Sequence, residues 1–159
     1  MQSDFDTLKE IFEQGRLFQL SLGFEQWKPG YPSLEILEAD RKNGYGYVVE
    51  TNGQTAGYFA LYAEGDAEYD RLAHLWRNKS SYAVVHRIVL SDKYRGKQLS
   101  SVILSQIEKM IIAKNVSAIR FDTGLMNAPM QRLLESNGYD NLGQCDFVWG
   151  PRIVYEKLL

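Results

Sequence analysis

The sequence predicts a mixed α/β domain, a mixed sheet flanked by helices, and three observations carry that expectation. Two apolar and aromatic runs surround Asn52-Gly53, the pair best suited to a type I′ turn, so residues 44–65 predict an antiparallel hairpin. SYAVVHRIVL, residues 81–90, is apolar on both faces, as a strand buried in the middle of a sheet should be, and it runs through a basic turn into an amphipathic helix. A second strand, Ser117 to Thr123, then leads into a second helix, Asn127 to Asn137.

Taken in order, Leu8, Ile11, Phe12, Leu17 and Leu20 recur near helical spacing, predicting one or two helices over 4–22 with Asp4 or Asp6 as N-cap. KPGYP breaks that pattern, and 33–42 reads as a short helix stopped at Asn43-Gly44. After the hairpin, 66–80 is polar and irregular and reads as a loop with a helical turn, anchored by Leu72, Leu75 and Trp76. The helix after the basic turn reaches about Lys114, with Leu99, Val102, Ile103, Ile107, Met110 and Ile111 on its apolar face. Asn127 caps the next helix, Asn137-Gly138 ends it, and Met130, Leu133 and Leu134 form its inward face. Two strand-like runs around Asp146 and Gly150-Pro151 complete the chain.

Composition bounds the function. The chain has 159 residues, enough for one domain over 1–159 that buries roughly two-thirds of its unfolded surface. Hydrophobic residues are 45% and charged residues 24%, which excludes disorder and fibrous repeats. Eighteen basic against twenty acidic residues give a net charge of −2, so no general attraction to nucleic acid or anionic membranes is expected. The first twenty residues interleave acids with apolar positions, so neither a signal peptide nor a membrane span is read there, and a cytoplasmic location is inferred. Cys145 is the single cysteine, which excludes an internal disulfide and leaves no Cys/His spacing for structural zinc; no metal ligand is expected.

The chemistry concentrates in DKYRGKQLSSVIL, residues 92–104. A helix N-terminus carries unpaired backbone N–H groups and partial positive charge, so a turn feeding it attracts phosphate. Arg95 and Lys97 add charge, and Gly96 lets the backbone curl toward an anion, which makes 94–98 a candidate pyrophosphate cradle. Neither a GK[ST] phosphate loop nor GxGxxG is present, so nucleotide hydrolysis and dinucleotide cofactors are not expected.

Arg95-Gly96-Lys97-Gln98-Leu99-Ser100 resembles motif A of the GNAT superfamily of N-acetyltransferases, in its small bacterial type, with Gln98 and Ser100 standing where the family has glycine or alanine. NAPMQRLLESNGY, residues 127–139, resembles its motif B. The resemblance covers about residues 82–139 and implies a mostly antiparallel mixed sheet whose central parallel strands splay to admit acetyl-coenzyme A as cosubstrate. It implies that the backbone of Ile88, Val89 and Leu90 bonds the pantetheine arm, and that the amides of Arg95, Gly96, Lys97, Gln98, Leu99, Ser100 and Ser101 hold the pyrophosphate. Asn127 would touch the cofactor as well as cap its helix. The implied reaction is direct attack of a primary amine, on a small molecule or a protein, at the thioester carbonyl. A tyrosine acid common in motif B is replaced by Leu134, and Tyr139 lies beyond the helix stop as a packing aromatic.

His86 is the leading base, since imidazole titrates near neutral pH and its strand borders the expected cofactor gap. His74, Glu50, Glu64, Asp66 and Glu68 are weaker candidates. The aromatic first half reads mainly as core and cross-strand packing, the alternative being an acceptor pocket with 66–80 as its lid. Phe121-Asp122-Thr123-Gly124 resembles the way aspartic proteases present a carboxylate, but helical patterns on both sides of it argue against that class. A second reading is an acyl-coenzyme A sensor of the same fold without efficient transfer, suggested by Gln98, Ser100 and Leu134. Exposed C-terminal strands make a homodimer an expectation as well.

Overall fold

The computed structural model describes residues 2–159, with side chains from residue 5 onward. Its elements follow the order α1 (Gln2–Ser21), α2 (Leu34–Lys42), β1 (Gly46–Thr51), β2 (Gln54–Tyr62), α3 (Ala67–Arg71), β3 (Ala83–Leu90), α4 (Leu99–Ile112), β4 (Ala118–Thr123), α5 (Ala128–Ser136), β5 (Asp140–Phe147) and β6 (Gly150–Leu158). The six strands form one sheet in the order β1-β2-β3-β4-β6-β5. β1/β2, β4/β6 and β5/β6 are antiparallel, and β3/β4 is the parallel pair. That parallel ladder joins Ala83 to Ile119 and Val84 to Arg120, stopping short of the ends of both strands. The expected mixed sheet with helices is therefore the observed fold. No helix among the described residues is long and apolar enough to cross a membrane.

Two compact units emerge, one comprising the chain to Leu61 together with His86–Ser100, the other Tyr62–Val85 together with Ser101–Leu159. In the first, Leu8, Ile11 and Phe12 of α1 are buried with Leu37 of α2 and Tyr58 and Phe59 of β2. Each such side chain withdrawn from water contributes roughly 1.5–3 kcal/mol. Phe12 meets Trp27 and Tyr58 edge-on at 5.5 and 5.6 Å. Gln19 is buried because its Oε1 accepts from the backbone N–H of Gln26 and Trp27, both at 3.0 Å, which ties down the chain leaving α1. Leu17 and Leu20 point to solvent, so the apolar stripe of α1 is shorter than their spacing predicts. α1 is one helix with Asp6 inside it rather than capping it, and Asp4 as a cap lies outside the described side chains. The hairpin turn forms as predicted, with Asn52 and Gly53 at φ +51° and +70°, the conformation a type I′ turn demands.

In the second unit Tyr69, Leu72, Trp76, Val84, Phe147 and Val154 form one buried cluster. The irregular 66–80 segment thus supplies core rather than a lid: Tyr69 and Trp76 stack at 5.4 Å, and the Trp76 indole donates to the Tyr69 carbonyl at 2.7 Å. On α4 the buried face is Ile103, Leu104, Ile107 and Ile111, while Val102 is 53% exposed. Ile103, Ile107 and Ile111 are thus buried as expected, and Leu104 is inward where Val102 was expected. On α5 Leu134 is fully buried, whereas Met130 and Leu133 are only partly so.

Candidate active site

β3 carries the first half of the candidate site, and its backbone is not a regular strand. Arg87 has φ +54°, a left-handed conformation that a non-glycine residue adopts at a cost. The burial of β3 drops at this point, with His86, Arg87 and Ile88 partly buried between buried neighbours. Beyond the kink, Val89 is seated on glycines. A Cβ on Gly57 of β2 would lie 2.3 Å from the Val89 carbonyl oxygen, and one on Gly15 of α1 would lie 2.8 Å from Val89 Cγ2. Both positions require hydrogen where other residues carry carbon.

The turn after β3 is anchored at its start. The Ser91 amide donates to the Ala56 carbonyl at 2.9 Å and the Asp92 amide to Gln14 Oε1 at 3.0 Å, and Lys93 Nζ donates to Gln54 Oε1 at 2.6 Å. A 3-10 turn over Asp92–Tyr94 leads to Arg95. The Arg95 guanidinium does not project freely. It pairs with Asp92, approaches the Leu90 carbonyl at 3.4 Å and lies 4.1 Å from the centre of the Phe18 ring. Its charge is thereby shared with Asp92, and Lys97, exposed beside it, is the more open cation of the turn. Gly96 has φ +74° and faces open space where a Cβ would stand. Gln98 has φ +60° immediately before α4 begins at Leu99. The glycine-preferring conformation is therefore kept at the position where glycine itself is replaced.

The structure brings His86, Ile88, Val89, Leu90 and the 95–100 turn into the first unit, whereas Ser101 and Asn127 belong to the second. Ser101 Oγ accepts from Asn137 Nδ2 at 3.1 Å. Asn127 caps α5 as expected, its side chain accepting from the Met130 amide at 3.3 Å. Gln131 Nε2 holds the preceding loop by donating to the carbonyls of Gly124 at 3.3 Å and Leu125 at 2.9 Å.

Most of the other polar candidates have structural duties. Tyr139 is buried edge-on against Phe121 at 5.2 Å and donates to Glu108 at 3.1 Å; burial, then the Glu108 charge, push its phenol well above the ordinary tyrosine range. Asp122 receives the Tyr69 hydroxyl at 2.6 Å and the Trp149 indole N–H at 3.4 Å, and Arg152 Nε lies 3.2 Å away. That last contact is an ion pair rather than an aligned hydrogen bond, since Arg152 Nε has no partner of proper geometry. So Asp122 binds its own fold together, contrary to any role as an exposed catalytic acid. Asp66 caps α3 through the Glu68 amide at 2.8 Å, and Glu68 pairs with Arg71 at 3.1 Å. Glu50, Glu64 and His74 are exposed. The aromatic first half is packing as read: Tyr47 and Phe59, register partners across β1 and β2, stack at 5.1 Å. No group of three or more His, Cys, Asp or Glu among the described residues is arranged to hold a metal ion.

Sequence reasoning passed over the cluster around Arg87. Asp40 Oδ1 receives Arg87 Nη2 at 2.6 Å, and its Oδ2 receives Arg87 Nε at 3.0 Å and the Tyr58 hydroxyl at 2.8 Å. The available signal was a single charged residue, Arg87, beside His86 in a strand whose other residues are apolar.

The chain belongs to the acetyltransferase (GNAT) family, whose profile matches residues 7–139. It is similar over its full length to a GNAT-family acetyltransferase from Streptococcus agalactiae, at 27% identity and TM-score 0.85, covering 92% of that chain. A GNAT-family acetyltransferase from Listeria monocytogenes shares the fold at 24% identity and TM-score 0.73 over 98% of this chain and 88% of that one. The aminoglycoside acetyltransferase AAC(6')-Ib, solved with coenzyme A, shares it at 17% identity and TM-score 0.58 over 71% of this chain and 65% of that one. No curated protein matches the sequence.

Proposed function

We propose that residues 1–159 act as one cytoplasmic acetyltransferase domain that moves an acetyl group from acetyl-coenzyme A to a primary amine. A small-molecule amine is the preferred acceptor, because the sequence shows no extended charged docking surface for a protein. The observation that carries the proposal is the turn itself: Gly96 and Gln98 are both left-handed, and the chain enters α4 directly after them. Such a turn directs successive backbone N–H groups toward one anion, and the open space beside Gly96 leaves room for it. Family membership and the coenzyme A held by AAC(6')-Ib support the same ligand.

In this reading the amides of Arg95 to Ser101 hold the pyrophosphate, with Lys97 adding charge. The backbone of Ile88, Val89 and Leu90 orients the pantetheine arm, and Asn127 adds a polar contact. Acetyl-coenzyme A supplies the activated acyl group. His86, partly buried on β3, accepts the proton that the acceptor ammonium must lose before its nitrogen becomes nucleophilic. Leu134 cannot donate a proton, and the buried Tyr139 is committed to Glu108, so the departing thiolate takes its proton from water. β5, at the sheet edge, offers a strand for a homodimer, and a gel-filtration mass of one chain would remove that part of the reading.

Calorimetric titration of coenzyme A and acetyl-coenzyme A into wild type and Gly96→Asp tests the site. Wild type is expected to bind in the micromolar range, and the variant, with a carboxylate in the cradle, to lose at least about tenfold while staying folded. Equal binding by both proteins would reject the cradle. Free thiol released with a panel of amines then separates an enzyme from a module that binds the coenzyme without transfer.

A further inference from the structure

The strongest unassigned feature of the first unit is the buried cluster of Asp40, Tyr58 and Arg87. An arginine at φ +54° inside a strand is held there only if its surroundings over-determine it. Here they do. Asp40, 3% exposed in the last turn of α2, grips the guanidinium with both carboxylate oxygens and accepts the Tyr58 hydroxyl as well. The Asp40 carbonyl receives the Tyr45 amide at 2.8 Å, which fixes the chain leaving α2. Gly46 leaves the space this needs, because a Cβ there would stand 2.6 Å from the Tyr58 hydroxyl.

A left-handed residue in a strand redirects the peptide groups that follow it, as in a bulge. The groups that follow Arg87 are those of Ile88, Val89 and Leu90, and the Val89 carbonyl lies where a side chain on Gly57 would have to be. An extended Arg87 would aim those peptide groups elsewhere. We propose that Asp40 is a positioning residue: its ion pair with Arg87 holds the kink that presents the Ile88–Leu90 backbone to the coenzyme. The inference rests on the cofactor reading given above. It adds a residue from α2, distant in sequence from both family motifs, to the determinants of coenzyme affinity.

Removing the pair while keeping the kink tests it. In Asp40→Asn the bidentate charge pairing is lost, and the dissociation constant for coenzyme A, measured by calorimetry on protein shown to be folded by circular dichroism, is expected to rise about tenfold. In the double variant Asp40→Asn/Arg87→Gly, glycine adopts the left-handed conformation without assistance and no buried charge is left unpaired. Its dissociation constant is expected to return to within about threefold of wild type, a rescue that a merely stabilising ion pair would not produce. Wild-type affinity in Asp40→Asn, or a double variant as weak as the single, overturns the proposal. If Asp40→Asn does not fold, the double variant and Tyr58→Phe decide. Tyr58→Phe removes one donor to Asp40 and should weaken binding about threefold, and wild-type affinity there together with weak binding by the double variant overturns the proposal. A wild-type protein that binds no coenzyme A is a different result, rejecting the cofactor reading itself and this inference with it.

Discussion

Arg87 and Arg120 both sit inside strands and pair with a buried acid, and they do opposite things to the backbone. Arg120 lies in a regular ladder, with Glu156 as its register partner on β6, Nε to Oε1 at 3.1 Å. Its guanidinium is covered by the rings of Trp76 and Tyr82 at 4.4 and 3.6 Å and donates to the Asn78 carbonyl at 2.8 Å. Glu156 in turn accepts the amides of Arg77 and Asn78 at 2.9 and 3.2 Å. Burial pulls the guanidinium below its usual pKa, opposed by Glu156. Arg87, by contrast, pairs with Asp40 while its own backbone is left-handed. A buried arginine in a straight ladder reports on stability; one at a kink reports on geometry.

Glu156→Ala should produce the largest effect and separates these roles. It leaves the Arg120 charge and two backbone amides without their acceptor, and a broken buried pair costs about 3–5 kcal/mol. Urea denaturation is expected to show that loss, while coenzyme affinity of the folded fraction stays at the wild-type level. A stability loss under about 1 kcal/mol would show that water or relaxation replaces Glu156, and that Arg120 is no more structural than Arg87.

How far the sequence reached follows the same division between local and distant causes. The hairpin at Asn52-Gly53, the entry into α4 after the basic turn and the Asn127 cap were legible because each is set by residues within a few positions. One edge of the buried face of α4 was not, since Val102 and Leu104 are equally apolar and only packing selects Leu104. The 66–80 segment looked irregular because α3 spans only five residues, too few for a period to register, although Tyr69 and Trp76 are fully buried. In the candidate site, the cradle was visible as a motif. Asp40, Tyr58 and Arg87 were not, because they meet across separations of 18 and 47 positions, and no local pattern encodes such a pairing.

Gln98 offers a smaller effect that sharpens the contrast from the other side. It shares with Arg87 a left-handed backbone, φ +60°, but it is exposed and held by nothing comparable to Asp40. Gln98→Gly is therefore expected to relieve strain and stabilise the fold by up to about 1 kcal/mol, the relief being offset in part by the added freedom of the unfolded chain. Coenzyme affinity should hold or improve, since in the proposed site backbone amides do the binding. Arg87→Gly, by contrast, should destabilise, because it strands a buried Asp40. Thermal melts of the two variants check the opposite signs, and a loss of stability in Gln98→Gly would mean that its side chain makes contacts that outweigh the strain.

The smallest effect at neutral pH concerns the aromatic cover on Arg120. The Tyr82 hydroxyl donates to Asp70 and accepts the Asp66 amide at 3.2 Å; burial first, then the bond to Asp70, raise its pKa from 10.0 to about 12. The folded state therefore holds this proton more tightly than the unfolded state. Its contribution to stability is complete below pH 10 and is lost as pH rises through about 12, because the unfolded phenol ionises first. Tyr82→Phe keeps the ring over Arg120 but has no proton to lose, so its unfolding free energy should fall less steeply than that of wild type over this range. Tyr69, Tyr139 and Tyr155 are raised too, so part of the alkaline limb should survive in the variant. If denaturant midpoints of both proteins fall in parallel across that window, Tyr82 is already ionised or freely hydrated in the folded state. The cover on Arg120 would then be a surface contact, and the stability of the ladder would rest on Glu156 and Trp76 alone.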